Sequence, residues 1–209
     1  SGSSTPVTES MILTGAFDAL HTDVNRRDLL LHFSDLQKSP SAAVSGAQMN
    51  LGFDPPALIS SGLPAMSAAE SVKYEVDRLG IDMSRHMIEF YGDFLNAIGA
   101  VRSSDLLKQR SQSSVLVAGI KVAMQTPPVR SGKRVIFVTL DDGYGLSDST
   151  FFTDVQGEYA NVLYSTSLLL VRGITRRTGA RGISIRATGA WDLRAAYESW
   201  STKQSTLAI

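Results

Sequence analysis

Basic side chains gather at two places in the second half of this 209-residue chain. Arg130, Lys133 and Arg134 form one group, and Arg172, Arg176, Arg177 and Arg181 form the other, with Lys121 and Arg186 close to them in the pattern. Phe137 follows the first group and Tyr144 lies a few residues beyond it. Cations on phosphates with aromatic rings under bases is the chemistry of single-strand binding. The competing reading is a solvated basic hairpin with Phe137 buried under a neighbouring helical segment. Other constellations are poorer. Asp141 and Asp142 are adjacent, and adjacent strand residues point to opposite faces, so the pair reads as turn formers rather than metal ligands. His21, His32 and His86 are scattered and make no metal cluster. There is no cysteine, which excludes thiol nucleophiles, disulfides and cysteine-type zinc sites. No nucleophile–base pair is visible, so no catalytic residue is assigned.

The charge total is zero, with 20 basic and 20 acidic side chains. The halves differ: residues 1–100 carry a net −6 and residues 101–209 a net +6. A basic half points to an anionic partner, nucleic acid first. The composition, 43% hydrophobic and 19% charged, is that of a globular protein. No apolar run approaches a membrane span, and no basic-then-apolar leader opens the chain. A cytoplasmic setting without membrane contact is expected. The opening Ser1-Gly2-Ser3-Ser4 lacks an initiator Met and suggests a piece of a longer protein.

These side chains need elements to hold them. Residues 1–33 read as helical, with Val7, Met11, Ile12, Leu13, Phe17 and Leu20 in one run and Leu29, Leu30, Leu31 and Phe33 in the next. Thr8 is a candidate cap for the first helix, and Asp23 or Asn25 for the second. Residues 34–66 are rich in Ser, Gly, Ala and Pro and read as a linker. Residues 67–110 form a helical connector. Ser67-Ala68-Ala69-Glu70 is a capping box, and Gly80 is the expected stop. A helix is predicted from Ser84 to Ile98, ended by Gly99, and a short one from Asp105 to Gln109.

After Ser111 the apolar period changes from 3.6 to 2. Strands are predicted at Val115–Met124, Lys133–Asp141, Leu146–Phe152, Ser167–Thr175 and Gly182–Ala190, with a helix at Asp154–Leu163 between the third and fourth. Asp142-Gly143 supplies the tight turn between the second and third strands. The fold class is therefore α+β: a helical N-terminal half followed by a five-stranded OB-fold barrel over residues 111–193, with its helix between strands three and four. An SH3-like barrel or a generic β-sandwich is the competing architecture. Residues 194–209 read as a C-terminal tail. An OB-fold binds oligonucleotides on strands two and three and through its 1–2 and 4–5 loops, where the two basic groups fall. Ile136, Val138 and Leu140 facing inward turn Phe137 outward, and one of Phe151 and Phe152 must face outward too.

The run Arg130-Ser-Gly-Lys-Arg-Val-Ile-Phe-Val-Thr-Leu-Asp-Asp142, with Gly143, Gly145 and Phe151-Phe152, resembles the OB domain of bacterial family C, DnaE-type DNA polymerases. Ile12-Leu-Thr-Gly-Ala-Phe-Asp-Ala-Leu20 with Asn25-Arg-Arg27 is similar to the end of that family's helix-hairpin-helix region. Glu75-Val-Asp-Arg-Leu-Gly-Ile81 with Ser84-Arg-His86 is similar to its next segment, except that Met87 stands where many members have Pro. Thr126–Gly132 and Val171–Gly179 look like the error-prone branch. The resemblance is collinear from about Thr8 to Leu193.

It implies a parent DNA-directed DNA polymerase, a nucleotidyltransferase of translesion synthesis and damage-induced mutagenesis, whose magnesium-binding carboxylates lie on a palm domain. It implies that this chain is a fragment without polymerase activity or a cofactor of its own, holding single-stranded template on its barrel. Gln48-Met-Asn-Leu51-Gly-Phe53 looks like the peptide by which bacterial polymerases dock on the sliding clamp. The alternative function is accordingly a protein-interaction module. In that reading the acidic half and the tail, with Tyr197 and Trp200, recruit the clamp or mutasome partners.

Overall fold

The structure is a computed structural model that describes residues 4–38, 58–127, 134–177, 179 and 182–207. It divides into two compact units, Ser1–Arg85 and His86–Ile209.

The first unit is helical. Helix α1 spans Thr5–Leu13 and α2 spans Arg26–Lys38. Ser4, not Thr8, is the N-cap of α1, with proline in its first turn. Proline is pre-shaped for that position and needs no hydrogen-bond acceptor there. Thr8 lies inside the helix and donates back to the Ser4 carbonyl. Asn25 rather than Asp23 caps α2. Its Oδ1 accepts from the N–H of Arg27 and Asp28, and Asp28 Oδ2 accepts from Asn25 N–H at 3.0 Å. Asp28 is buried and also accepts from the Ser61 hydroxyl and N–H. Those bonds, the hydroxyl foremost, hold its carboxyl below the usual range. Helix α2 continues past residue 33 to Lys38, because Ser34, Asp35, Leu36 and Gln37 contain no helix breaker. Helix α3, Ala68–Leu79, has the expected capping box, and Gly80 closes it at φ 77°. Ile12, Leu13, Leu29 and Val72 are buried in this unit.

The second unit opens with a 3-10 turn, Met87–Tyr91, followed by short helices α4, Gly92–Ala97, and α5, Ser103–Leu106. A single helix from Ser84 was expected. His86 stays extended instead, and its Nδ1 caps the Ile88 N–H at 3.3 Å. The apolar stripe hides this break, since 3-10 and α turns share the same i, i+3 spacing.

Five strands follow: β1 Ser114–Gln125, β2 Ile136–Asp141, β3 Leu146–Phe151, β4 Leu168–Arg177 and β5 Ile183–Asp192. They close into a barrel in the order β1-β2-β3-β5-β4. Helix α6, Thr153–Ser165, lies between β3 and β4 in the chain. This is the OB-fold arrangement and not a sandwich. The β3–β5 pairing is parallel and the other four are antiparallel. Leu140, Phe151, Leu163, Leu169 and Val171 are fully buried inside the barrel. Gly173 permits close strand approach, because a Cβ there would lie 2.4 Å from the Arg186 carbonyl oxygen.

The expected tail is helix α7, Leu193–Leu207. Leu193, Ala196, Tyr197 and Trp200 fall at i, i+3, i+4 and i+7, the spacing of one helix face. They join Ile88, Phe94, Leu168 and Leu170 in a second core on the outside of the barrel. Tyr197 meets Tyr91 edge-on at 5.2 Å and Trp200 lies 5.4 Å from Phe94. Both aromatics offered as partner contacts are thus packed within the unit.

Candidate nucleic-acid interface

Alternation along β2 decides which side chains reach the surface. Ile136, Val138 and Leu140 are buried, and Phe137 between them is 43% exposed. Strand registry then lays one row across the barrel. Phe137 pairs with Gln125 of β1 on one side and Thr150 of β3 on the other. Thr150 pairs with Arg186 of β5, and Arg186 with Ile174 of β4. Arg176 sits one step along β4, opposite Ser184. Phe137, Thr139, Asp148, Thr150, Phe152 and Arg176 line one open concavity. Asp154, Ile174 and Arg186 continue it.

Phe151 and Phe152 divide as alternation requires. Phe151 is fully buried and Phe152 is 37% exposed. Phe152 meets a cation, since the Arg186 guanidinium carbon lies 5.4 Å from its ring centre. The same guanidinium pairs with Asp154 Oδ2 at 3.1 Å. The Arg176 guanidinium has no partner among the described residues. Asp148, in the floor, accepts from Thr139 Oγ1 at 2.7 Å.

The remaining expected residues have varied placements. Lys121 is partly buried, and its Nζ donates to the Leu163 carbonyl in the last turn of α6. The Arg177 guanidinium donates to the carbonyls of Leu107 and Gln109. Both side chains serve the fold by satisfying free backbone acceptors. Arg172 is exposed on β4 and lies 5.5 Å from the Trp191 ring centre. Tyr144 is turned away from the row. It lines a separate hollow with Ile88, Leu95 and Ala118, and Arg102 covers its ring at 4.3 Å. Arg134 is exposed at the entrance to β2, where its carbonyl accepts from Gln156 Nε2 at 2.7 Å. Arg130, Lys133 and Arg181, and the Gln48, Leu51 and Phe53 peptide, lie outside the described residues.

Asp141 and Asp142 do more than form a turn. Asp142 is buried and accepts from Ser103 N–H at 2.7 Å and Ser103 Oγ at 2.6 Å. Asp141 Oδ1 accepts from Gly143 N–H and lies 3.7 Å from His86 Nε2. Two carboxylates so engaged do not fit a magnesium pair, which needs them free to converge on the ions. Among the described residues no cluster of three or more metal-ligating side chains occurs. Among them, too, no helix is long and apolar enough to cross a membrane. Sequence reasoning missed Asp154 and Trp191. An Asp two residues after an outward Phe, at the start of a helix, was the available signal for Asp154.

Comparison with known proteins places this chain beside the DnaE-type error-prone DNA polymerases. It is 30% identical over 197 residues to the error-prone DNA polymerase of Symbiobacterium thermophilum, across 85% of this chain and 18% of the relative. It is 33% identical over 115 residues to that of Caulobacter vibrioides, across 55% of this chain and 10% of the relative. It is 30% identical over 173 residues to the DNA polymerase III subunit alpha of Pasteurella multocida, across 79% and 15%. The chain thus spans less than a fifth of each relative's length. No family model matches it. Among solved structures, a mitochondrial single-stranded DNA-binding protein from S. cerevisiae is 15% identical with TM-score 0.33, across 40% of this chain and 96% of that one. The OB assignment rests on the strand order and not on that likeness.

Proposed function

We propose that the chain is part of an error-prone, DNA-directed DNA polymerase, and that its barrel holds single-stranded template for a catalytic centre lying elsewhere in the protein. The observation that carries this reading is the transverse row. An exposed ring, Phe137 on β2, shares one concavity with Arg176 at the end of β4, and an OB-fold binds oligonucleotides on strands two and three and beside its 4–5 loop. A base stacks on Phe137 whatever its identity, because every base has a π-face, and Arg176 takes a backbone phosphate. Arg134, exposed at the entrance to β2, extends the cationic track. The hold is therefore sequence-tolerant and salt-sensitive. Both properties suit a surface past which any template, damaged or intact, must move.

Parent activity is proposed as nucleotidyl transfer in translesion synthesis and DNA repair, with magnesium held by carboxylates outside this chain. The alternative, recruitment of a sliding clamp or mutasome proteins, draws on Gln48, Leu51 and Phe53 and on the packed Tyr197 and Trp200. No observation favours it over the row.

The test is fluorescence anisotropy of a labelled oligo-dT of about 16 nucleotides. The chain should bind it at low salt, and Arg176→Glu should weaken binding by roughly tenfold. Unchanged affinity of that variant overturns the proposed track.

A further inference from the structure

In the same groove, Arg186 stands opposite Thr150 and belongs to the row that includes Phe137. It is well placed for a phosphate, yet its guanidinium is already engaged twice, by Asp154 Oδ2 at 3.1 Å and by the face of Phe152. Arg176, in the same concavity, carries no such carboxylate among the described residues. Asp154 sits in the first turn of α6, a position where a carboxylate is favourable whether or not Arg186 is present. Helix α6 therefore carries a fixed anion beside the groove.

We propose that Asp154 is an affinity-limiting residue of the strand-binding groove. It stands in for a phosphate, holds Arg186 beside Phe152, and so keeps one cation off the nucleic-acid backbone. The inference rests on the single-strand reading of the groove. It gives the two arginines of the groove different duties. Arg176 binds phosphate, and Arg186 is held in reserve. Phe137 and Phe152 both stay exposed in the groove, and Arg186 lies beside Phe152 alone. A groove with one restrained cation lets a template pass rather than clamping it.

The consequence is a gain of binding from removing a charge. Both partners of the pair are more than half exposed, so Asp154→Asn and Arg186→Gln leave the barrel core untouched. Four proteins are compared by oligo-dT anisotropy over a salt series: the chain as it stands, D154N, R186Q and the double variant. D154N should tighten binding roughly two- to fivefold. It should also steepen the log–log salt dependence by about 0.7, one further phosphate contact on a single strand. R186Q alone should weaken binding, because it leaves the Asp154 charge unpaired beside the groove, and replacing Asp154 in that background should recover less than D154N gains in the unsubstituted chain.

Two results overturn the inference while leaving single-strand binding intact. One is no gain in D154N. The other is an equal gain in the R186Q background, which would mean simple charge repulsion by Asp154 rather than restraint of Arg186. Absence of binding by the unsubstituted chain and by D154N at low salt overturns the groove reading itself, and this inference with it.

Discussion

The buried carboxylate of Asp142 accepts both the N–H and the hydroxyl of Ser103, at 2.7 and 2.6 Å. Asp142 stands in the β2–β3 hairpin and Ser103 is the first residue of α5, so one side chain ties the hairpin to the short helical segment before the barrel. Asp142 Oδ1 also accepts from Tyr144 N–H and shapes the turn from within. Asp142→Ala should lower stability by about 2–4 kcal/mol, through charge-assisted bonds lost and donors left unpaired. Urea denaturation measures this. A midpoint equal to that of the unsubstituted chain would show the tie to be idle.

Acid should loosen the first unit. Asp28, Glu70 and Glu75 are all held below their usual range. Burial pushes Glu75 up, but N–H donation from Ser84 and Met83 outweighs it. For Glu70, the Ser67 N–H and hydroxyl lead the downward pull. A depressed carboxyl contributes stability that is complete above its unfolded value, about 4, and is lost as pH falls through the lower folded value. Amide exchange in α2 and α3, corrected for intrinsic rates, should therefore show protection falling as pH drops below about 4. Asp28→Asn should flatten part of that dependence. Protection that is constant over this window contradicts the account.

Helix α7 should behave as part of the barrel unit. Tyr197 touches Tyr91, Phe94 and Trp200, with ring centres 5.2, 5.9 and 6.0 Å away. Tyr197→Ala should cost roughly 2–4 kcal/mol and abolish exchange protection in α7. Unaltered protection would show that the helix docks without its aromatic face.

Ser149 is fully buried on β3, and its Oγ has no hydrogen-bond partner among the described residues. An unpaired buried hydroxyl is a cost, so Ser149→Ala should be neutral or stabilising by up to about 1–2 kcal/mol. A thermal melt that falls instead would reveal a partner for that hydroxyl.

The barrel was legible in the sequence because period-2 alternation and the Asp142-Gly143 turn are local signals. Phe137 could be turned outward from its two buried neighbours alone, and the Ser67 capping box could be read from four residues. Other features depend on three-dimensional partners. Lys121 and Arg177 look like free cations in sequence, yet each finds a backbone carbonyl contributed by residues far away in the chain. Arg186 meets Asp154 from 32 positions away, and no local pattern pairs them. The α7 face was written at i, i+3, i+4 and i+7, but a polar terminal segment gives little hint of what that face would pack on. The first cap falls on Ser4 rather than Thr8, with Pro6 in the turn that follows it.

The most direct test of the central claim is oligo-dT binding by the chain and by its Phe137→Ala variant, followed by anisotropy at low and moderate salt. Phe137 is exposed and outside the barrel core, so the variant should fold as the parent does. The account predicts binding that weakens steeply with salt. It also predicts a loss of about 1–3 kcal/mol in the variant, the worth of one base stacked on one ring. No binding at low salt, or equal affinity of the two proteins, would contradict it.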